Sequence, residues 1–338
     1  MRRSFEFEPF VARPPWWGRH LQSMRNAFVP RLLIRSLPRG ERLKLDMADG
    51  SGDRLAARLN APLTTSPQDT LVVLVHGLGG CEDSLYMIAA TRFFLERGNF
   101  VLRLNLRGYG PSRHSCLDFA HAGRTGDLRA ALADLPARFD ATPILLVGFS
   151  LGGNTLLKFL GEGDVDTRVT AAASVSAPLD LRAASDLIHQ RHNRIYHDYL
   201  LRAVKRGYLH TNSPIPKVTA DAIRRAATLK AVDDIYTGPH HGYADAHDYY
   251  TRVSCLPYLD GITVPTLAVH AADDPFVPCA PYRAYDWQGH THAHGLVSRG
   301  GGHVGFHDIK GLWHLRQISR FFDVVISADG RAASAQAA

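Results

Sequence analysis

Cysteine is scarce in this chain: Cys81, Cys116, Cys255 and Cys279 are the only four among 338 residues, and no two form a C-x-x-C pair. That spacing excludes a disulfide scaffold and a zinc ribbon, and fits scattered reduced thiols. Runs of about 20 apolar residues, the length that crosses a bilayer, are also missing. The opening Met1-Arg2-Arg3-Ser4-Phe5-Glu6 carries charge but no apolar stretch after it, so a secretory leader is not expected and the expected location is the cytoplasm. Basic blocks are absent as well. The formal charge is +7, yet arginines such as Arg31, Arg103, Arg168, Arg224 and Arg320 are spread along the chain, which argues against a nucleic-acid partner and leaves at most a peripheral membrane contact. Internal repeats are not found.

What is present is an ordinary globular composition, 45% hydrophobic and 21% charged, with the length for one large domain carrying an insertion. From about Arg42 onward, compact apolar runs alternate with helical stretches, the pattern of a mostly parallel sheet with helices on both faces. The strands are expected at Leu71–Val75, Phe100–Leu104, Ile144–Val147, Thr170–Val175 and Thr266–Val269. An antiparallel lead-in pair at Leu43–Asp46 and Arg54–Leu59 and a last strand at Gly295–Ser298 bring the count to about eight. The rhythm stops between Pro178 and Leu259, where residues 181–259 are expected to form a helical cap. Residues 1–40, including Pro14-Pro15-Trp16-Trp17, are expected to wrap the core as an arm whose aromatics are candidates for the pocket wall. Leu312–Val325 places Leu315, Ile318 and Phe322 on one helix face, and residues 329–338 are expected to be a disordered tail.

The sharpest local feature is Val147-Gly148-Phe149-Ser150-Leu151-Gly152-Gly153-Asn154, a G-x-S-x-G between an apolar strand and the helical stretch Thr155–Leu160. Such a turn holds the serine in a strained conformation and projects its hydroxyl away from the sheet. A serine hydroxyl is a weak nucleophile and needs a base, and the base needs an orienting acid, in the chain order Ser, acid, His. His270-Ala271-Ala272-Asp273-Asp274-Pro275 ends one strand and Gly300-Gly301-Gly302-His303 follows the last, so both partners occur in that order. Asp274 is preferred as the acid because a rigid Pro turn follows it, with Asp273 the alternative; His303 is the base. Backbone N–H groups of Leu151 and of Leu78, in His76-Gly77-Leu78-Gly79-Gly80, are the candidate oxyanion donors. His76 and Phe149 are expected to contact substrate.

With these elements in place the sequence resembles the α/β-hydrolase fold family, and more narrowly its YheT-like branch of esterases. The narrower resemblance rests on Gly18-Arg19-His20-Leu21-Gln22-Ser23, Asn105-Leu106-Arg107-Gly108, Lys158-Phe159-Leu160-Gly161-Glu162, Asp233-Asp234-Ile235-Tyr236-Thr237, His241-Gly242-Tyr243-Ala244-Asp245-Ala246 and Asp248-Tyr249-Tyr250. It implies carboxylic-ester hydrolysis, with lipid or acyl esters as candidate substrates, through Ser150, Asp274 and His303. The chain departs from the branch at Asp49-Gly50-Ser51-Gly52-Asp53, away from the triad. No metal or organic cofactor is called for.

Three other readings use the same residues. His240, His241, Asp245, His247 and Asp248 cluster in one segment and offer metal-ligating atoms, but without a known ligand spacing. An acyltransferase would use the same acyl-enzyme with another acceptor, and a non-catalytic binding protein would keep the fold alone. Asn105 and Arg107 either fix the loop near the elbow or, for Arg107, attract an anionic substrate.

Overall fold

The computed structural model describes residues 6–28, 37–64, 69–209 and 215–336; parts of the expected arm and the end of the expected tail lie outside them. Eight strands form one sheet: β1 Glu41–Asp46, β2 Arg54–Asn60, β3 Leu71–Val75, β4 Phe100–Leu104, β5 Ile144–Phe149, β6 Val169–Val175, β7 Thr266–Ala271 and β8 Ala293–Ser298. Their order is β1-β2-β4-β3-β5-β6-β7-β8, with β1 and β2 antiparallel to their neighbours and every pair from β4 through β8 parallel.

Strand residues alternate between two apolar layers, as a period of two requires. Leu71, Val73 and Val75 of β3 face one layer, while Val72 and Leu74 face the other. The first layer takes Leu128 and Leu132 of α3 (Gly126–Ala133) and Leu156 and Leu160 of α4 (Leu151–Glu162). The second takes Met87, Ala90 and Phe94 of α2 (Leu85–Leu95) and Leu315, Ile318 and Phe322 of the closing helix Trp313–Gln336, which runs past the expected end at Val325. Burial on both faces explains why the central strands are continuous apolar runs.

Between β6 and β7 the chain leaves the sheet and forms helices at Leu181–Ile188, Arg194–Leu209, Lys217–Arg225 and Ala246–Val253. These cover the end of the sheet from which Ser150, Asp274 and His303 emerge. Asn154 of α4 ties this cap to the core: its side-chain amide donates to the Val253 carbonyl at 3.0 Å and its oxygen accepts from Cys255 N–H at 2.9 Å. The arm contributes α1 (Gly18–Phe28) and a bridge from Ala12 to Asp308.

Candidate active site

Four strands deliver the site from their carboxyl ends, the usual place for ligands on an open α/β sheet. Ser150 follows β5 and caps α4 with φ 52° and ψ −124°, a conformation that L-residues rarely adopt and that costs on the order of 1–3 kcal/mol. The packing around it leaves room only for glycine. A Cβ on Gly152 would lie 2.3 Å from the His76 carbonyl oxygen, and one on Gly77 would lie 2.8 Å from the Ser150 Cβ. The elbow and the loop after β3 are therefore held against each other backbone to backbone.

His303 Nε2 lies 2.9 Å from Ser150 Oγ, and His303 Nδ1 lies 2.8 Å from Asp274 Oδ2. A carboxylate only accepts, so its contact places the ring proton on Nδ1 and leaves Nε2 to accept from the serine hydroxyl. The other Asp274 oxygen accepts N–H groups of Phe276 at 3.1 Å and Val277 at 2.9 Å. Burial opposes ionisation of Asp274, but the facing His303 and these donors hold its pKa below the ordinary value. Asp273 turns elsewhere and accepts from Gly302 N–H at 2.9 Å, which braces the loop carrying His303. Of the two acids left open, Asp274 is the one whose side chain reaches the imidazole.

That loop is anchored from two further directions. Ser23 of α1 accepts the His303 N–H at 2.8 Å, and Ser176, after β6 and itself at φ 53°, accepts the Val304 N–H at 3.1 Å. Buried Gln22 accepts from His307 N–H at 2.7 Å. The Phe276 ring packs on the imidazole with centroids 3.9 Å apart. The Gln22-Ser23 pair thus supports the base, a role the sequence reading did not give it.

Ser150, Leu78, Leu151 and His303 line a cavity of about 900 Å³ roofed by the cap. The backbone N–H of Leu151 opens α4, where the helix dipole favours developing negative charge. His76 and Phe149, expected at the substrate, do not line this cavity. Both are fully buried. His76 Nδ1 bonds to the Gly77 carbonyl at 2.8 Å and Nε2 accepts from Leu106 N–H at 3.1 Å, so it bridges the ends of β3 and β4; burial drives its pKa down to about 4 and keeps the ring neutral. Phe149 packs beneath the elbow against Tyr86.

Asn105 and Arg107 are structural, as the first of their two readings expected. Asn105 donates to Glu82 at 2.7 Å and to the Ala56 carbonyl at 2.9 Å. Arg107 is buried with its guanidinium on Asp127 (2.9 and 3.0 Å), Asp53 (2.7 Å) and Asp49 (2.6 Å), and no charge is left to receive an anionic substrate. The departure at Asp49–Asp53 therefore supplies two of its three carboxylate partners.

The candidate metal cluster separates. Asp245 caps the helix Ala246–Val253 by accepting Asp248 N–H at 2.8 Å, His247 meets Arg182 at 2.8 Å, and Asp248 accepts Ala244 N–H at 3.0 Å. His240 and His241 instead approach Asp118, and among the described residues these three are the one grouping with metal-ligand proximity. Asp118 is already paired with Arg124 and with His240. Among the described residues no helix is long and apolar enough to cross a membrane.

The chain matches the alpha/beta hydrolase fold family over residues 70–308. It is 34% identical over 264 residues to the Escherichia coli (strain K12) protein named "Putative esterase YheT", covering 76% of this chain and 75% of that protein. It is 29% identical over 273 residues to a Saccharomyces cerevisiae monoacylglycerol lipase, covering 78% of this chain but 61% of the lipase, under two thirds of its length. Among solved structures, the Pyrococcus furiosus esterase Pf2001 superposes with a TM-score of 0.58 at 15% identity, over 94% of this chain and 98% of that one. At such identity the shared property is the fold.

Proposed function

The chain belongs to the α/β-hydrolase fold family and to its YheT-like branch, and from that premise we propose that it hydrolyses carboxylic esters through Ser150, His303 and Asp274. The observation that carries this reading is the continuous relay from Asp274 through His303 to a strained Ser150 at the wall of a large, mostly apolar cavity. In the first step His303 Nε2 takes the Ser150 Oγ proton as Oγ attacks the ester carbonyl, and Asp274 stabilises the resulting imidazolium. The carbonyl oxygen, now an anion, meets the N–H groups of Leu78 and Leu151. Collapse breaks the bond to the alcohol, which leaves with the proton from His303. Water, deprotonated by the same imidazole, then attacks the acyl-enzyme and releases the acid.

The cavity wall suits an apolar acyl chain, with Leu181, Ile188, Leu200, Val204 and Val277 among its lining residues. That composition supports lipid or other acyl esters as the substrate class. A p-nitrophenyl ester series of increasing acyl length, run with and without chelator on the native protein and on Ser150→Ala, tests the reading. Expected is a length optimum, insensitivity to chelator and loss of turnover in Ser150→Ala; equal turnover by both proteins would remove Ser150 as the nucleophile.

A further inference from the structure

Beyond the triad, the cavity is lined by one acidic side chain among the described residues, Asp233, and the ester chemistry leaves it unused. It opens the π-helical turn Asp233–Thr237, and such turns re-aim side chains off the regular helix face and recur at functional sites. Tyr250 donates its hydroxyl to Asp233 Oδ2 at 2.6 Å, and the Thr237 hydroxyl also bonds to the carboxyl. Tyr208 continues the set, with its hydroxyl 2.8 Å from Thr237 Oγ1.

These contacts supply dipoles but no countercharge. The nearby cation, Lys230, is spent on the adjacent Asp234 at 2.7 Å, where both side chains reach solvent. Among the described residues, none makes a salt bridge to Asp233. Burial raises its pKa to about 6, which still leaves it mainly ionised at neutral pH. A carboxylate held at the cavity wall with no cation against it favours a positively charged ligand there.

Four tyrosines line the same cavity: Tyr250 bonds the carboxylate, Tyr208 reaches it through Thr237, Tyr249 packs on Tyr250 with ring centroids 5.4 Å apart, and Tyr109 joins Tyr208 through the Phe119 ring. Burial raises their phenol pKa values, and the Asp233 charge raises them further. Aromatic faces beside an anion attract organic cations rather than anions. A neutral polyol would add hydrogen bonds but leave the carboxylate uncompensated. A quaternary or protonated amine would supply the missing charge.

We propose that Asp233, with Tyr109, Tyr208, Tyr249 and Tyr250 lining the same cavity, forms a subsite for a cationic ammonium group carried on the alcohol portion of the ester. The subsite rests on the ester-hydrolase reading for its place in the reaction, but its binding chemistry is separable from turnover.

Two measurements test it. The first compares kcat/KM for butyrylcholine and for its neutral isostere 3,3-dimethylbutyl butyrate, in the native protein and in Asp233→Asn, with p-nitrophenyl butyrate as a general ester. The charged ester is expected to exceed the isostere by tenfold or more in the native protein, and that ratio is expected to collapse toward one in Asp233→Asn. The second is calorimetric binding of butyltrimethylammonium to Ser150→Ala and to Ser150→Ala with Asp233→Asn; binding is expected in the first and at least a tenfold weakening in the second. A ratio near one in the native protein, an equal fall for both esters, or equal butyltrimethylammonium binding by the two Ser150→Ala proteins would overturn the subsite. If none of the three esters is turned over, the hydrolase reading fails, and the calorimetry alone still decides whether Asp233 holds an ammonium group.

Discussion

Asp274 and His303 come from the ends of two adjacent parallel strands, 29 residues apart in sequence, and meet at 2.8 Å with the carboxylate side chain fully buried. Its neighbour Asp273 shares the turn but bonds to the Gly302 backbone instead. The two acids therefore have separable roles. Asp274→Asn is expected to lower kcat by about 10³–10⁴-fold, because the amide no longer fixes the imidazole tautomer. Asp273→Asn, which removes only a brace on the loop, is expected to lower it by far less. Steady-state kinetics on a p-nitrophenyl ester decides the matter, and a larger loss in Asp273→Asn would reverse the assignment.

Gly77 has no room for a methyl group, since a Cβ would sit 2.8 Å from the Ser150 Cβ and 3.0 Å from the Phe149 carbonyl oxygen. Gly77→Ala is expected to push the oxyanion loop away from the nucleophile and cut kcat by roughly 10²-fold, the scale of an ångström of misplacement. Retained native kcat in a folded Gly77→Ala protein would show that the loop does not set the reacting geometry.

Arg107 is the centre of a buried ionic cluster, and removing it strands Asp53 and Asp127 away from water. Arg107→Met is expected to destabilise the fold by about 3–5 kcal/mol, the range for breaking a buried pair from one side. Urea denaturation measures this. A change below about 1 kcal/mol would mean that the carboxylates had found other partners.

Asp49 gives this cluster a pH dependence. Burial works against its ionisation, but hydrogen bonds from Ser51 and the Arg107 guanidinium bring its pKa down from 3.8 to about 2. A depressed folded pKa gives stability that is present above the unfolded value and lost as pH falls through the folded one. Asp49→Asn is accordingly expected to be less stable than the native protein at pH 6, with the gap closing between about pH 4 and pH 2. Denaturation curves at pH 6, 4 and 2.5 that keep a constant gap would contradict this.

Much of the candidate site was legible because its signals are local. A G-x-S-x-G between strand and helix needs no tertiary information, and β3 and β4 carry the boundaries expected from their apolar runs. Residues whose roles depend on distant partners were less legible. His76 and Phe149 flank the chemistry in sequence, but the alternation of the strands turns them into the core, beneath the cavity rather than into it. The choice between Asp273 and Asp274 required the direction of two side chains on one turn. Ser23 and Ser176 support the His303 loop across 280 and 128 residues, a separation no motif encodes. Asp233 lay in a stretch that carried only the family resemblance, and its place on the cavity wall without a salt-bridge partner emerges only from the folded cap.

The proposed chemistry turns on Ser150 as a nucleophile poised by His303. Treatment with one equivalent of a fluorophosphonate, followed by peptide mapping, identifies the reactive residue. A single adduct on Ser150 is expected, abolishing ester hydrolysis in proportion to labelling, with much slower labelling of His303→Ala. An adduct on another residue, or full hydrolytic activity in protein labelled at Ser150, would contradict it.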